Sequence, residues 1–205
     1  MLNNKYIIKS EKFDFLEKII ITLHGYGTSG EDFAKVGEIF LSKKINNTIF
    51  LFPDAPYDCA CGTGKEWFDL NEISPESLRN GLNNTGPILA NYIEKVSIEY
   101  DCESINLIGF SQGSIMALEM IYYPFTTKIL AYSGLFVPCS EKAIKSNAKV
   151  LLVHSDDDTV VPYQNAINAK KDLEQNGIDV NLQTCHDIGH SISLEGWSYG
   201  VDFLS

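Results

Sequence analysis

Short apolar runs rich in β-branched residues recur along this chain, each followed by a stretch with helical spacing, and that alternation leaves few folds open. Lys18–Leu23 carries four β-branched residues in a row, Ile19, Ile20, Ile21 and Thr22. Residues 48–52, 104–108, Lys128–Tyr132 and 150–153 read the same way, and residues 180–184 alternate apolar with polar side chains. A shorter strand over residues 6–9 precedes them. Continuously apolar strands belong to sheets covered on both faces, which parallel sheets are. Helices are predicted from Ser29-Gly30-Glu31-Asp32, with Phe33, Val36, Ile39 and Phe40 on one face, and from Ser74-Pro75-Glu76-Ser77, with a kink at Gly86-Pro87. Further helices follow Ser114, follow Pro162 as far as Asn176-Gly177, and close the chain over residues 192–204. The predicted class is α/β, a mostly parallel central sheet with helices on both faces. No repeat, compositional break or linker divides the 205 residues, so residues 1–205 read as a single domain, long enough to bury such a sheet.

Gly109-Phe110-Ser111-Gln112-Gly113 lies between one of these runs and the helix behind it. A serine on a strand-to-helix turn is forced outward, and glycines beside it admit the close backbone approach that a Cβ would block. The helix start aims unpaired N–H groups at the place where negative charge develops in acyl transfer. A serine hydroxyl needs a base, and the base needs a third group to fix its tautomer. The chain has four histidines. In the strand-end order serine, acid, histidine, only His186 and His190 follow both other candidates. His190 is preferred, because Gly189 before it lets the backbone turn sharply, whereas His186 abuts a strand whose pleat sets its direction. The acid is one of Asp156, Asp157 and Asp158; spacing does not choose among them, and a solvated turn is the alternative for those not used. Asp187 shares a short loop with His190 and is poorly placed to reach Nδ1. For the oxyanion, Gln112 N–H is one expected donor, and Tyr26 N–H, in the glycine loop Leu23-His24-Gly25-Tyr26-Gly27, is the other.

Composition removes several classes. A formal charge of −11 argues against nucleic acid or an anionic membrane as partner. The first residues lack the basic-then-apolar pattern of a secretory leader, and no run reaches membrane-spanning length, so stable membrane insertion is not expected. Five scattered cysteines in a chain of this size fit a reducing, cytoplasmic setting. Cys59-Ala60-Cys61 is spaced too closely for the usual zinc pairs and has no second pair, so no metal is expected. Gly62-Thr63-Gly64-Lys65 lacks the serine or threonine and the earlier glycine of a phosphate loop.

Six segments, in order, together resemble the carboxylesterase/phospholipase family of α/β-hydrolases, the group that includes the acyl-protein thioesterases. They are Leu23-His24-Gly25-Tyr26-Gly27, Phe52-Pro53-Asp54-Ala55-Pro56, Trp67-Phe68-Asp69, Gly109-Phe110-Ser111-Gln112-Gly113, residues 154–162, and Gly189-His190. The resemblance implies an α/β-hydrolase fold, Ser111 as nucleophile, His190 as base, Asp158 as acid, and the Tyr26 and Gln112 amides as oxyanion donors. It places Trp67 and Phe68 beside an acyl groove, where they either contact substrate or plug the loop against the domain. The insert over residues 133–147 is too short for a large lid domain. The implied activity is hydrolysis of carboxylic esters or thioesters with short-to-medium acyl chains, through an acyl-enzyme and without cofactor. The implied partner is a small-molecule ester or thioester, or an acylated lipid or protein, and such relatives often form homodimers. An acyltransferase or peptidase on the same scaffold, and a non-catalytic acyl-ligand binding protein, are the competing readings. Ser114 and Ser155 stand where the family usually has glycine, and Cys59-Ala60-Cys61 has no interpreted counterpart.

Overall fold

In the computed structural model, which describes residue 2 and residues 4–205 apart from the side chains of residues 4, 5 and 36–40, strands and helices follow the predicted alternation. The strands are β1 (Asn4–Lys9), β2 (Lys18–Leu23), β3 (Thr48–Pro53), β4 (Tyr57–Asp58), β5 (Lys65–Glu66), β6 (Ile105–Phe110), β7 (Lys128–Tyr132), β8 (Lys149–Ser155) and β9 (Val180–Cys185). The α-helices are α1 (Gly30–Lys44), α2 (Pro75–Tyr100), α3 (Gln112–Glu119), α4 (Gln164–Gln175) and α5 (Leu194–Leu204), with a 3₁₀ turn at Met120–Tyr122. Seven strands form one sheet in the order β1-β3-β2-β6-β7-β8-β9. Only β1, at one edge, pairs antiparallel; the other five pairings are parallel.

The apolar runs are apolar throughout because alternate side chains enter two different cores. Ile19, Ile21, Leu107, Ile129 and Leu152 point to the side where Leu82, Leu89 and Ile93 of α2 and Met116 of α3 pack. Ile20, Ile108, Leu130 and Val153 point to the other, against Phe33 and Leu41 of α1 and Trp197 and Leu204 of α5. The expected positions Val36, Ile39 and Phe40 on α1 lie outside the described side chains. Local chemistry sets the helix starts. Ser29 caps α1 by accepting from Asp32 N–H, and Ser74 caps α2 in a reciprocal box with Ser77. The α2 helix passes through Gly86-Pro87 as one element of 26 residues. Gly86 lies at a helix crossing, where an added Cβ would sit 3.3 Å from both Glu119 and the Tyr123 hydroxyl.

Two regions differ from expectation or add to it. The stretch 54–73, expected to be irregular, contains the two-residue strands β4 and β5, paired antiparallel. That hairpin is fastened to the loop after β2 by Gly27 N–H to Lys65 O (3.0 Å) and Lys65 N–H to Thr28 O (2.8 Å). Residues 133–147 form no helix or strand and are tied to the body by a buried ion cluster. Glu119, fully buried at the end of α3, meets Arg79 of α2 at 2.5 Å and Lys142 of the insert at 2.7 Å, and Arg79 also donates to Val137 O at 3.0 Å. A carboxylate removed from water is tolerated there because two cations face it.

Candidate active site

Ser111 sits between β6 and α3 at φ 54° and ψ −118°, a left-handed conformation that costs a non-glycine residue on the order of 1–3 kcal/mol. Packing on both sides imposes the turn. A Cβ on Gly109 would lie 2.3 Å from Gly113 O, and one on Gly113 would lie 2.0 Å from Leu23 O, so both positions exclude any side chain. Ser111 N–H donates to Tyr132 O at 3.0 Å, which ties the turn to β7.

The loop after β9 brings His190 over this serine. Gly189 adopts φ 60° with open space around its Cα, so there glycine serves the backbone angle alone. His190 Nε2 lies 2.9 Å from Ser111 Oγ, and Nδ1 lies 2.7 Å from Asp158 Oδ2. Phe110 supports the ring, with centroids 5.1 Å apart. The Asp158 carboxyl is buried, and its Oδ1 accepts from Val160 N–H and Val161 N–H at 2.9 Å each. Burial pushes its pKa up, but the hydrogen bonds from His190 and from the Val161 and Val160 amides outweigh burial and hold it below the ordinary carboxylate value. An ionised Asp158 can only accept, so His190 Nδ1 carries the proton. Nε2 is then free to accept from the serine hydroxyl.

Asp156 and Asp157 lie in an exposed turn and make further contacts from it. Asp156 Oδ2 meets His186 Nδ1 at 2.6 Å, and Asp157 Oδ1 accepts from Gly189 N–H at 2.9 Å and from Ser155 Oγ at 2.5 Å. Three consecutive carboxylates therefore hold three points of one loop. His186 is exposed on this outer tether, with Asp156 as its partner. The Ser155 hydroxyl, in the position where glycine was expected, braces Asp157.

The loop after β2 passes beside the serine, since a Cβ on Gly25 would lie 3.5 Å from Ser111 Cβ. Tyr26 follows in that loop. Gln112, as the first residue of α3, has an amide with no carbonyl one turn back to bond. Its side chain does something the sequence reading did not identify. Oε1 accepts from Trp67 N–H at 2.9 Å and Nε2 donates to Phe68 O at 2.6 Å, clamping the 54–73 loop onto the elbow. A buried primary amide facing a backbone N–H and C=O is the available signal for such a clamp. Trp67 and Phe68 were expected either to contact substrate or to plug the loop against the domain. Trp67 is fully buried and donates from Nε1 to His24 O at 2.9 Å, while Phe68 packs over Gly81 and lines a hollow of about 530 Å³ with Tyr57, Asp69 and Asn80. A second cleft, beside His190, is lined by Gly25, Thr28, Phe33, Phe110 and Ile192, with a volume of about 380 Å³.

The other histidines divide by burial. His24 donates from Nδ1 to Gly25 O at 2.7 Å and accepts Ala55 N–H on Nε2 at 3.0 Å. His154 donates from Nε2 to Val161 O at 2.8 Å, beneath Asp158. Burial lowers the pKa of both, whereas the Asp156 carboxylate raises that of exposed His186. The two buried rings therefore favour the fold above the unfolded value of about 6.5, and this contribution fades as pH falls toward their depressed values. His186 has the opposite sign: its contribution is complete below 6.5 and lost as pH rises through its raised value. In an imidazole NMR titration to lower pH, His186 is expected to protonate before His24 and His154. Protonation of His154 before His186 would contradict this.

Comparison with known proteins agrees with the fold. The family model described as phospholipase/carboxylesterase matches residues 3–205. The esterase YpfH of Escherichia coli is 26% identical over 202 residues, covering 92% of this chain and 82% of that protein. Acyl-protein thioesterase 1 homolog 1 of Dictyostelium discoideum is 27% identical, covering 100% and 96%. The crystal structure of esterase PE8 superposes with a TM-score of 0.90 at 30% identity, covering 99% of this chain and 97% of that one. The fold is that of the α/β-hydrolases.

Proposed function

We propose, starting from the fact that this chain belongs to the phospholipase/carboxylesterase family and is a serine ester hydrolase, that it cleaves short-to-medium acyl esters or thioesters with Ser111, His190 and Asp158. The observation that carries the assignment is the unbroken relay of 2.7 Å and 2.9 Å from Asp158 through His190 to Ser111. Ser111 attacks the acyl carbonyl as His190 Nε2 takes its proton, and Asp158 stabilises the imidazolium. The amides of Gln112 and Tyr26 receive the oxyanion. His190 then protonates the leaving alcohol or thiol, and a water repeats the sequence to release the acid and free enzyme.

The small apolar cleft supports modest acyl chains, because a site of this size encloses only part of a long one. Parallel assays with oxygen and sulfur p-nitrophenyl-type esters of graded length test this. Turnover should peak at short-to-medium chains and fall beyond them. A steady rise out to long-chain substrates overturns the size argument, and preferential acyl transfer to an added alcohol overturns hydrolysis as the main outcome. We read residues 1–205 as one functional domain. All five cysteines are free thiols, which supports a cytosolic setting.

A further inference from the structure

Cys59 and Cys61, unexplained by the sequence, lie against the loop that holds Tyr26. A turn closed by Gly62 N–H on Cys59 O (3.0 Å) folds the two residues toward each other and brings their sulfur atoms to 2.6 Å. The contact is enforced from both sides. Cys59 N–H donates to Gly64 O at 3.1 Å, and Cys61 N–H donates back to Cys59 Sγ at 3.3 Å. The pair bears directly on residues 26 and 27. The neighbouring Cys59 sulfur pushes the pKa of the Tyr26 hydroxyl up to about 12, and a Cβ on Gly27 would lie 3.0 Å from Cys61 Sγ. The backbone of Gly64 also presses on Gly27, where an added Cβ would lie 2.4 Å from Gly27 O. The thiol turn, the β4–β5 hairpin and the loop after β2 thus form one packed unit.

We propose that Cys59 and Cys61 are a peroxide-sensitive dithiol whose closure to a disulfide displaces the Tyr26 amide and lowers hydrolysis. The proposal rests on the oxyanion role given to Tyr26 above. The two thiols are unequal in the way such a pair requires. Cys61 is exposed, and the hydrogen bond from Cys59 favours its thiolate, whereas burial keeps Cys59 protonated. A hydroperoxide is attacked by the Cys61 thiolate, giving a sulfenic acid and the corresponding alcohol. Cys59 sulfur then attacks the sulfenic sulfur and expels water. The net change converts two thiols and one hydroperoxide into one disulfide, one alcohol and one water, a two-electron oxidation. Bond formation draws the two sulfur atoms closer than their 2.6 Å contact, so the turn contracts beside Gly27 and pulls on the loop that holds the Tyr26 amide.

Hydrogen peroxide on the intact reduced protein, followed by peptide mass mapping, ester turnover and the Tyr26 amide resonance, tests this. The expected result is a disulfide between 59 and 61 and kcat/KM lower by roughly fivefold to tenfold, less than for outright loss of an oxyanion donor. The Tyr26 amide peak should shift, and dithiothreitol should reverse all three changes. Cys59→Ser and Cys61→Ser should each retain reduced-state activity within about twofold and lose the peroxide response. Phenylarsine oxide, which bridges paired thiols, should block wild type and neither variant. Absence of the 59–61 linkage under peroxide overturns the proposal. So does a linkage that leaves the Tyr26 peak unmoved, or one that leaves turnover unchanged in a protein active when reduced. If the reduced protein hydrolyses no ester, the hydrolase reading fails, and the linkage and the amide shift still decide the dithiol.

Discussion

Ser111→Ala is expected to lower ester turnover by on the order of 10⁴-fold or more and to abolish labelling by a fluorophosphonate, with thermal unfolding nearly unchanged. The fold should survive because the substitution keeps the Cβ, and with it the same backbone angle. Only the hydroxyl facing His190 Nε2 at 2.9 Å is lost. The bond from the 111 N–H to Tyr132 O, which secures the turn, is untouched. Turnover undiminished in a folded variant would sink the nucleophile assignment. Residual activity near the expected floor would reflect binding and oxyanion stabilisation alone.

Asp158→Asn should be almost as damaging, about 10⁴-fold in kcat by analogy with the same exchange in serine proteases, while Asp157→Asn should cost no more than about tenfold. The difference follows from what each carboxylate faces. An amide at 158 can donate to Nδ1, which transfers the ring proton to Nε2 and leaves no lone pair for the serine. At 157 the partners are a backbone N–H and the Ser155 hydroxyl, both donors that an amide oxygen can still accept. A larger loss at 157 than at 158 would reassign the acid.

Much of the sheet was readable in the sequence, because parallel strands buried on both faces print as continuous apolar runs. Lys18–Leu23 and Lys128–Tyr132 match their predicted bounds. The β4–β5 ladder left no such print, since two-residue strands carry no periodicity. At the site, strand-end position and the neighbouring glycines point to Ser111 and His190. The choice of Asp158 came from resemblance, because three adjacent carboxylates are chemically identical until their partners, about 30 residues later in the chain, are known. Trp67 was ambiguous for a different reason: an aromatic ring in a loop satisfies equally a ligand or a core. Burial and the bond to His24 O decide how it sits. Ser155 was read as a departure from pattern, and its meaning emerged only with the bond to Asp157.

The triple tether from 156–158 to 186–190 has a consequence for how this segment tolerates change. Deleting one aspartate would not remove one contact; it would slide every carboxylate by a position and offer each the wrong partner. Substitutions there should show strong epistasis, with double-mutant free energies departing from the sum of the singles, whereas distant surface changes simply add. The segment behaves as a single heritable unit, to be exchanged whole in any chimera or left alone.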